Sequence, residues 1–321
     1  MKRIGYLSLL LAIGCIFRFT PALALDTDLE VSAGYDDNPA EVDEMDGSGF
    51  ARYRARLMQS FSGDAKGADA DIFLDAAYEH YFDLEDNYRL RAGGTLDIAT
   101  GNDRFLPGLF AEVSAYRDDL VADDERDELL LGGFLEWLVD ARLTLTLRQA
   151  FAWSDYRNRV SLPGQRAHSM GKGKGRGRQQ QIPVDELITY DRDDDIRSTE
   201  AAATWYVTPD VQADFSFQYR DVASSDDYES FQEVGGSARI GWFNPKVAEI
   251  FLTGFWSKLD YEDAPEDIER EDDLYGFGIG ANREMGKMTL YIRYDRTVND
   301  SPVDGENYEK AVAQCGVIYS F

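Results

Sequence analysis

The C-terminal stretch Tyr308 to Phe321, YEKAVAQCGVIYSF, decides the fold. Its residues alternate between two parities, with Gln314, Gly316, Ile318 and Ser320 on one and small or apolar side chains on the other. The apolar parity holds Ala311, Ala313, Cys315, Val317, Tyr319 and Phe321. A period of two is that of a β-strand, whose successive side chains point to opposite faces. The segment therefore predicts a terminal strand with one face that is apolar throughout.

Two aromatic residues, Tyr319 and Phe321, lie on the apolar face of this strand. In this respect the segment resembles the closing strand of bacterial outer-membrane β-barrels. The resemblance implies that Tyr319 and Phe321 are the signal read by the barrel-insertion machinery, which would be a partner of the chain. The alternative is an ordinary C-terminal strand of a soluble sheet.

The N-terminus predicts export. Lys2 and Arg3 precede an apolar run, Ile4 to Phe17, and Ala22-Leu23-Ala24 has the small-x-small pattern of a signal-peptidase site. We therefore expect a signal peptide over residues 1–24 and a single domain over 25–321. No other stretch approaches the eighteen apolar residues of a spanning helix, so any membrane residence must be by strands.

Charge and cysteine content exclude several classes of partner. The formal net charge is −27, which argues against a nucleic-acid partner. The chain has two cysteines, Cys15 in the predicted signal peptide and Cys315. One remaining thiol cannot form a disulfide framework or a cysteine metal cluster, and we expect no cofactor.

Fourteen segments of alternating hydrophobicity follow the predicted signal peptide. They span 25–35, 50–61, 69–82, 88–98, 105–116, 129–139, 143–153, 196–207, 211–219, 233–242, 248–256, 274–281, 288–294 and 308–321. Even-to-odd connections are tight turns, whereas odd-to-even connections are mostly longer and acidic. This asymmetry is typical of periplasmic turns and extracellular loops. The sequence therefore predicts an all-β fold, a closed antiparallel transmembrane β-barrel of about 14 strands in the cell outer membrane.

The five tryptophans fall on the apolar parity. Trp137, Trp205 and Trp242 lie close to tight turns, whereas Trp153 and Trp256 lie near the long-loop ends. Amphipathic rings settle at headgroup depth, so this distribution predicts an aromatic girdle at each membrane interface. A secreted β-sandwich would also alternate aromatic residues, but it has no reason to sort its loops by length.

The other parity supplies the candidate pore lining. The residues predicted to line the pore are Arg52, Arg54, Arg56, Asp71, Asp75, Glu79, Arg89, Arg91, Arg148, Asp214, Arg220, Arg239 and Arg293. Strands two, three and four form a basic-acidic-basic ladder, with Glu79 expected opposite Arg91 or a diagonal away. Either the charges neutralise one another, or they create a transverse field that orients passing solutes. Their mixed signs predict neither anion nor cation preference.

The longest break, about 155–195, contains a basic tract. Lys172, Lys174, Arg176 and Arg178 alternate with glycines, which predicts a flexible cationic loop. This extracellular loop is a candidate gate that folds back over the acidic mouth, or a binding site for lipopolysaccharide phosphates. The alternative is a solvated loop without a function of its own.

The two histidines offer no catalytic arrangement. His80 lies on the lipid-facing parity of the third strand, and His168 lies in the long basic loop. A hydrolase needs a histidine held beside its nucleophile, and neither position provides a rigid inward site. We therefore predict that the chain is not an enzyme.

Gly34 to Pro39, GYDDNP, resembles the opening strand of uncharacterised outer-membrane barrel families and the barrel of surface-lipoprotein assembly modifiers. Those modifiers carry a helical repeat domain before the barrel, which we do not find in this sequence. The pattern predicts a porin-like channel that passes small polar or charged solutes through a water-filled lumen. The alternative is a non-conducting scaffold, or an assembly or export factor, that holds a partner protein. Outer-membrane lipid surrounds the barrel in either case, and a homo-oligomer is left open.

Overall fold

A computed structural model describes residues 25–42, 45–63, 67–161, 188–226, 229–262, 269–303 and 306–321. These residues form fourteen strands and one short 3-10 turn, Ala122–Asp124, which lies between β5 and β6. The strands are β1 Leu25–Asp36, β2 Ser48–Phe61, β3 Ala68–Tyr81, β4 Asn87–Ile98, β5 Phe105–Asp118, β6 Arg126–Leu138, β7 Leu143–Ser161, β8 Ile188–Thr208, β9 Val211–Ser224, β10 Phe231–Asn244, β11 Ala248–Tyr261, β12 Glu271–Met285, β13 Met288–Asp300 and β14 Tyr308–Ser320.

The sheet closes on itself. Each strand pairs with the next in sequence, and β14 pairs antiparallel with β1, with Tyr319 opposite Leu29. The backbone N–H of Phe321 donates to the carbonyl of Thr27 over 3.0 Å. Closure removes the open edges that a flat sheet would expose, so the backbone polar groups of every strand find partners within the sheet. The predicted closed antiparallel barrel of fourteen strands is confirmed.

The connections define two ends of the barrel. Turns such as 209–210 and 286–287 join even strands to odd strands, at what we call the turn end. Longer connections, such as 37–47 and 262–270, join odd strands to even strands at the loop end. The β3–β4 connection, 82–86, is short although it lies at the loop end.

Several strands extend further toward the loop end than the alternation predicts. Strand β11 continues to Tyr261 rather than ending at Trp256, and β12 begins at Glu271 rather than Leu274. Beyond the hydrocarbon layer the outward positions need not be apolar, so the hydrogen-bonded ladder outlasts the hydrophobic pattern. For the same reason the β7–β8 connection spans 162–187 rather than 155–195. Those residues, with the candidate gate, lie outside the described ranges.

The barrel has the reverse of a soluble protein's burial pattern. Large apolar side chains such as Leu252 and Ile292 are 56% and 62% exposed on the outer face. The residues that are buried in the described ranges are mostly polar, including Asp75, Asp194 and Glu233. An apolar exterior around a polar interior suits a barrel that lipid surrounds. No helix in the described ranges is long and apolar enough to cross a membrane.

Candidate functional site

The inner wall of the barrel is the candidate site. Outward and inward positions alternate along each strand, and residues that are paired in register share a face. Exposed apolar residues such as Val31 and Tyr53 are register partners and mark the outer face, so their neighbours Ser32 and Arg52 face inward. Extending the register around the barrel places every predicted pore-lining residue on the inner parity.

The predicted charge ladder brings β2 and β3 into contact. Arg54 donates to Asp75 from Nε over 2.9 Å and from Nη2 over 2.6 Å. Arg52 approaches Glu79 to 3.9 Å, also across the β2–β3 pair. Asp75 is 5% exposed, so this carboxylate is surrounded by its cationic neighbours. The ladder is therefore a set of cross-strand ion pairs on one wall.

The predicted neighbourhood of Glu79 and Arg91 is wrong. Glu79 lies opposite Asn87, whereas Arg91 lies opposite Asp75, four residues further along the hairpin. The β3–β4 hairpin closes directly after Glu79, so the register leaves Arg91 closer to the barrel's middle. Its guanidinium instead binds Glu112 on β5 with two hydrogen bonds, of 2.8 and 2.9 Å. A planar fork that meets a carboxylate in this way is a strong, oriented pair.

The remaining predicted lining residues are distributed around the lumen. Arg220 pairs with Glu233 at 2.8 Å, and Arg293 pairs with Asp295 at 2.6 Å. Arg239 also pairs with Glu249, and Asp214 accepts from the amide of Gln212. The other four predicted lining residues are placed by their register partners: Asp71 lies opposite Thr95, Arg56 opposite Asp75, Arg89 opposite Tyr116 and Arg148 opposite Glu200. These residues lie on separate strands, so the structure gathers them onto one surface without bringing them to one point.

Inward aromatic rings are a feature that the sequence reasoning missed. Seven of them lie over the glycine directly opposite on a neighbouring strand. The pairs are Phe50 with Gly34, Phe73 with Gly93, Phe110 with Gly132, Phe134 with Gly108, Phe251 with Gly280, Phe255 with Gly276 and Tyr291 with Gly316. A Cβ at Gly93 would lie 2.9 Å from Cζ of Phe73, and one at Gly316 would lie 2.8 Å from Cε1 of Tyr291. Each ring fills the place of the missing side chain and lies along the wall.

Guanidinium groups cover several of these rings. Arg148 lies over Phe110, with its Cζ 4.0 Å from the ring centroid, and Arg239 lies over Phe251 at 4.7 Å. Arg56 and Arg91 both approach the ring of Phe73, at 5.5 and 5.7 Å. A cation over an aromatic face is held electrostatically without being neutralised. The inner wall therefore includes layers of glycine, ring and guanidinium, and which glycine lies opposite which ring depends on the strand register.

Two buried ion-pair clusters at the loop end were also missed. Arg192 binds Asp194, and Arg270 binds Asp272, with the shortest N–O distances 2.6 and 2.7 Å. Each guanidinium also reaches a loop carboxylate, Glu229 or Glu306 respectively, and lies over a tyrosine ring. Their shared signal is an arginine followed two residues later by aspartate at the start of a strand. These clusters tie the loop end of β8 and β12 to neighbouring strands.

The predicted girdle residues lie on the outer face. The exposed fraction is 41% for Trp137, 46% for Trp205 and 39% for Trp242, all near the turn end. Trp153 and Trp256 are 44% and 51% exposed on the same face. Trp137 stacks on Phe105 with ring centroids 5.9 Å apart. Their depth in a bilayer stays a prediction.

The two aromatic residues of the predicted insertion signal contact each other. Tyr319 and Phe321 meet edge to face, with ring centroids 4.6 Å apart, and both are exposed on the outer face. Their recognition by the insertion machinery stays a prediction.

The structure places His80 on the outer face, at the loop end of β3. Its Nδ1 lies 2.8 Å from Oδ1 of Asp86. The same oxygen accepts from the backbone N–H of Tyr81, and Oδ2 of Asp86 accepts from the hydroxyl of Tyr78. His168, Lys172, Lys174, Arg176 and Arg178 lie outside the described residues. Asp86 therefore closes the β3–β4 hairpin, and His80 has no access to the lumen.

A solvent-exposed cluster at the loop end predicts an acid-sensitive contact. Asp127 lies two residues beyond the level of Trp153 and pairs with Arg117, whose Nη2 donates over 2.6 Å, and with Arg157. Burial alone would raise the pKa of Asp127, but the hydrogen bonds from both arginines lower it below its ordinary value.

The lowered pKa of Asp127 fixes the direction of a pH effect. The contact stabilises the fold above the ordinary aspartate pKa of about 3.9 and is lost as pH falls through the lower folded value. Asp127→Asn should lower stability at pH 7 by at most about 1 kcal/mol, because solvent screens this half-exposed cluster. The free energies of unfolding of wild type and variant, measured in urea, should converge as the pH is lowered below about 3.9. A difference that persists unchanged in acid would contradict this assignment.

Strand count, closure, apolar exterior and polar interior together define the class: by its fold the chain is an outer-membrane β-barrel. Against solved structures, the OmpT loop L8 deletion mutant of Vibrio cholerae is 8% identical, with 94% of this chain and 100% of that chain covered and a TM-score of 0.53. In-vitro folded OmpT of Vibrio cholerae in its trimer form is also 8% identical over 94% and 100%, with a TM-score of 0.52. An anion-selective porin from Comamonas acidovorans is 10% identical over 94% and 99%, with a TM-score of 0.48.

Similarity this distant shows the fold alone, and the third score is too low to support more. No family model matches the chain, and no curated protein matches its sequence. The inner wall is therefore the basis for a proposal about function.

Proposed function

We propose that the chain is an outer-membrane channel that passes small polar or charged solutes through a water-filled lumen. The observation that carries this proposal is the placement of the inward rings. Seven aromatic side chains that would reach furthest into the lumen lie instead over glycines on the neighbouring strand. Fourteen strands enclose more space than their inward side chains fill when those side chains lie along the wall.

The chemistry of the inner wall supports the same proposal. Inward positions carry carboxylates, guanidinium groups and hydroxyls that a dry interior would accommodate only at high cost. Arg220 and Arg293 expose 40% and 50% of their side chains even though they are ion-paired. Charged groups that remain this exposed on the inner face suit a hydrated passage.

Planar-bilayer recording tests the channel. The purified full chain in KCl should give discrete, stepwise openings of one main conductance, because each closed barrel would add one aqueous path. Liposomes that contain the protein should swell in isotonic small sugars. A barrel that is folded by circular dichroism but gives neither steps nor swelling would contradict a channel and favour the scaffold alternative.

Several predictions from the sequence have no counterpart in the described contacts. The signal peptide over 1–24, binding of lipopolysaccharide, and a partner protein or homo-oligomer all stay predictions. That the chain is not an enzyme also stays a prediction. The channel proposal depends on none of them.

A further inference from the structure

The inward arginines fall into two groups that differ in how their charge is compensated. Most have a carboxylate oxygen within 4.0 Å, among them Arg54 with Asp75, Arg91 with Glu112 and Arg220 with Glu233. Four have no such partner among the described residues, namely Arg56, Arg89, Arg126 and Arg148. We call these four the arginine wall. A guanidinium without a carboxylate keeps its charge and its donors available to a ligand.

The arginine wall occupies one side of the lumen. Its members lie on β2, β4, β6 and β7, which belong to one continuous run of strands. On the opposite side, β8 to β13, the inward arginines Arg192, Arg220, Arg239 and Arg293 are each paired with a carboxylate. Among the residues that the structure describes, inward arginines without a carboxylate oxygen within 4.0 Å therefore lie on one side of the lumen.

Aromatic rings lie beside three of these four arginines. Arg148 lies over Phe110 at 4.0 Å, and Arg56 lies over Phe73 at 5.5 Å. Arg126 lies between Tyr116 and Tyr156, at 5.5 and 5.7 Å from their ring centroids. A ring fixes the direction of a guanidinium while it leaves the net charge of the group unchanged. The arrangement presents positioned cations to the lumen.

The loop-end half of the wall forms a single cross-strand row. Arg89, Tyr116, Arg126, Tyr156 and Arg192 are consecutive register partners across β4 to β8. Neighbouring strands lie about 4.8 Å apart, so Arg89 and Arg126 lie roughly 10 Å apart at the backbone, with one tyrosine between them. Two long side chains can converge on one small solute across that distance.

Nearby carboxylates are already engaged. Asp118 accepts from the Tyr116 hydroxyl over 2.6 Å and from two backbone N–H groups, and Glu128 accepts from Ser154 over 3.2 Å. Glu128 is a carboxylate two residues from Arg126 on β6, and other inward carboxylates lie opposite the two further members of the wall, Glu200 opposite Arg148 and Asp75 opposite Arg56. In the loop-end row Arg89 and Arg126 thus have no carboxylate oxygen within 4.0 Å among the described residues, although Glu128 lies close by on the same face.

We propose that the arginine wall binds the carboxylate of small organic acids, so that the channel prefers these anions although the chain is strongly acidic. The inference rests on the proposed channel function and names its substrate class. A carboxylate can accept two parallel hydrogen bonds from one guanidinium, which gives affinity and orientation. Arg89 and Arg126 would receive the solute from the loop side, and Arg148 and Arg56 lie further along the same wall.

A matched pair of solutes isolates the carboxylate. Galacturonate and galactose share one ring and differ at the carboxylate, so only galacturonate should interrupt the KCl current through single channels. The double variant Arg89→Gln with Arg126→Gln should raise the dissociation constant for this block at least about tenfold, which corresponds to 1.4 kcal/mol. The control double variant, Arg220→Gln with Arg239→Gln, removes the same charge from the opposite side of the lumen. It should change the dissociation constant for the block by less than about threefold.

The outcomes separate the two proposals. Open channels on which galacturonate and galactose act alike, or on which both double variants weaken the block equally, overturn the arginine wall and leave the channel standing. Absence of any conductance overturns the channel. In that case the detergent-solubilised barrel is titrated with galacturonate in a calorimeter. Binding that is lost only in the Arg89→Gln, Arg126→Gln variant still supports the arginine wall. Binding that is equal in wild type and both double variants, or absent from wild type, overturns it. Circular dichroism confirms that each variant is folded.

Discussion

Gly280→Ala is expected to destabilise the barrel by about 2 kcal/mol and to lower its single-channel conductance, whereas Gly241→Ala is expected to do neither. Both glycines are register partners of Phe251, one on each neighbouring strand. The ring lies over Gly280 only, where an added Cβ would meet ring atoms Cε2 and Cε1 at 2.8 and 2.9 Å. At Gly241 the nearest atom to an added Cβ is Oε1 of Glu249, at 3.7 Å.

The cost at Gly280 comes from moving the ring. Phe251 is 9% exposed and lies under Arg239, which pairs with Glu249. Inserting one methyl group into a filled site typically costs about 1–3 kcal/mol, and here the ring would leave its cation as well. A ring displaced from Gly280 must stand further from the wall, whether it turns toward the lumen or toward Gly241, which is the reason to expect a narrower path. At Gly241 the added methyl has room, and replacing a strand glycine by alanine can stabilise by about 0.5–1 kcal/mol.

Urea unfolding in lipid vesicles and single-channel recording measure the two effects on the same preparations. Equal stabilities of the two variants would show that the ring over Gly280 is not filling a required space. A destabilised Gly280→Ala barrel with unchanged conductance would contradict the inference that rings lying along the wall keep the lumen open. An unchanged conductance in Gly280→Ala would therefore also weaken the channel proposal.

The features that could be predicted from the sequence, the number of strands and their closure into a barrel, depend only on which face of each strand is apolar. Alternation revealed all fourteen strands, because one face of each strand meets lipid and the other does not. Connection lengths also predicted which strand ends share a side. The fine bounds at the loop end were missed, because outside the bilayer a strand such as β11 continues to Tyr261 without an apolar face.

The register between neighbouring strands could not be predicted from the sequence. Whether Arg91 meets Glu79 or Asp75 depends on where the β3–β4 hairpin closes, and a shift of a few residues changes every cross-strand partner. The glycine–ring pairs and the arginine wall become visible only when register is known. The motif shared by Arg192 and Arg270 could have been read from the sequence, since both precede an inward aspartate by two residues.

Asp272→Asn is expected to destabilise the barrel by about 3 kcal/mol, whereas Asp295→Asn should change stability by less than about 0.5 kcal/mol. Both carboxylates pair with an arginine two residues earlier on the chain, at 2.7 and 2.6 Å. Side-chain exposure is 5% and 3% for Arg270 and Asp272, but 50% and 34% for Arg293 and Asp295. The comparison therefore changes burial while it keeps the chemistry of the pair.

Burial decides the size of the effect at Asp272. Removing one partner of a buried pair leaves an uncompensated charge, which typically costs about 3–5 kcal/mol, whereas exposed pairs contribute about 0–1 kcal/mol. Asp272 also accepts from the Ser301 hydroxyl, and Nη1 of Arg270 has no hydrogen-bond partner among the described residues. Glu306 lies 3.5 Å from Arg270 and would still compensate part of its charge in the variant, which places the expected loss at the lower end of that range.

Chemical unfolding of both variants at neutral pH gives the comparison. Because Arg270 and Asp272 contact Glu306 and Ser301 in the β13–β14 connection, loss of Asp272 should also increase proteolytic cleavage within the 262–270 connection before global unfolding. If Asp272→Asn and Asp295→Asn lowered the free energy of unfolding by equally small amounts, water would have to reach the Arg270 cluster freely. In that case the loop-end clusters would be surface ion pairs that contribute little, and the rigidity of the outer mouth would have to come from the β-ladder alone.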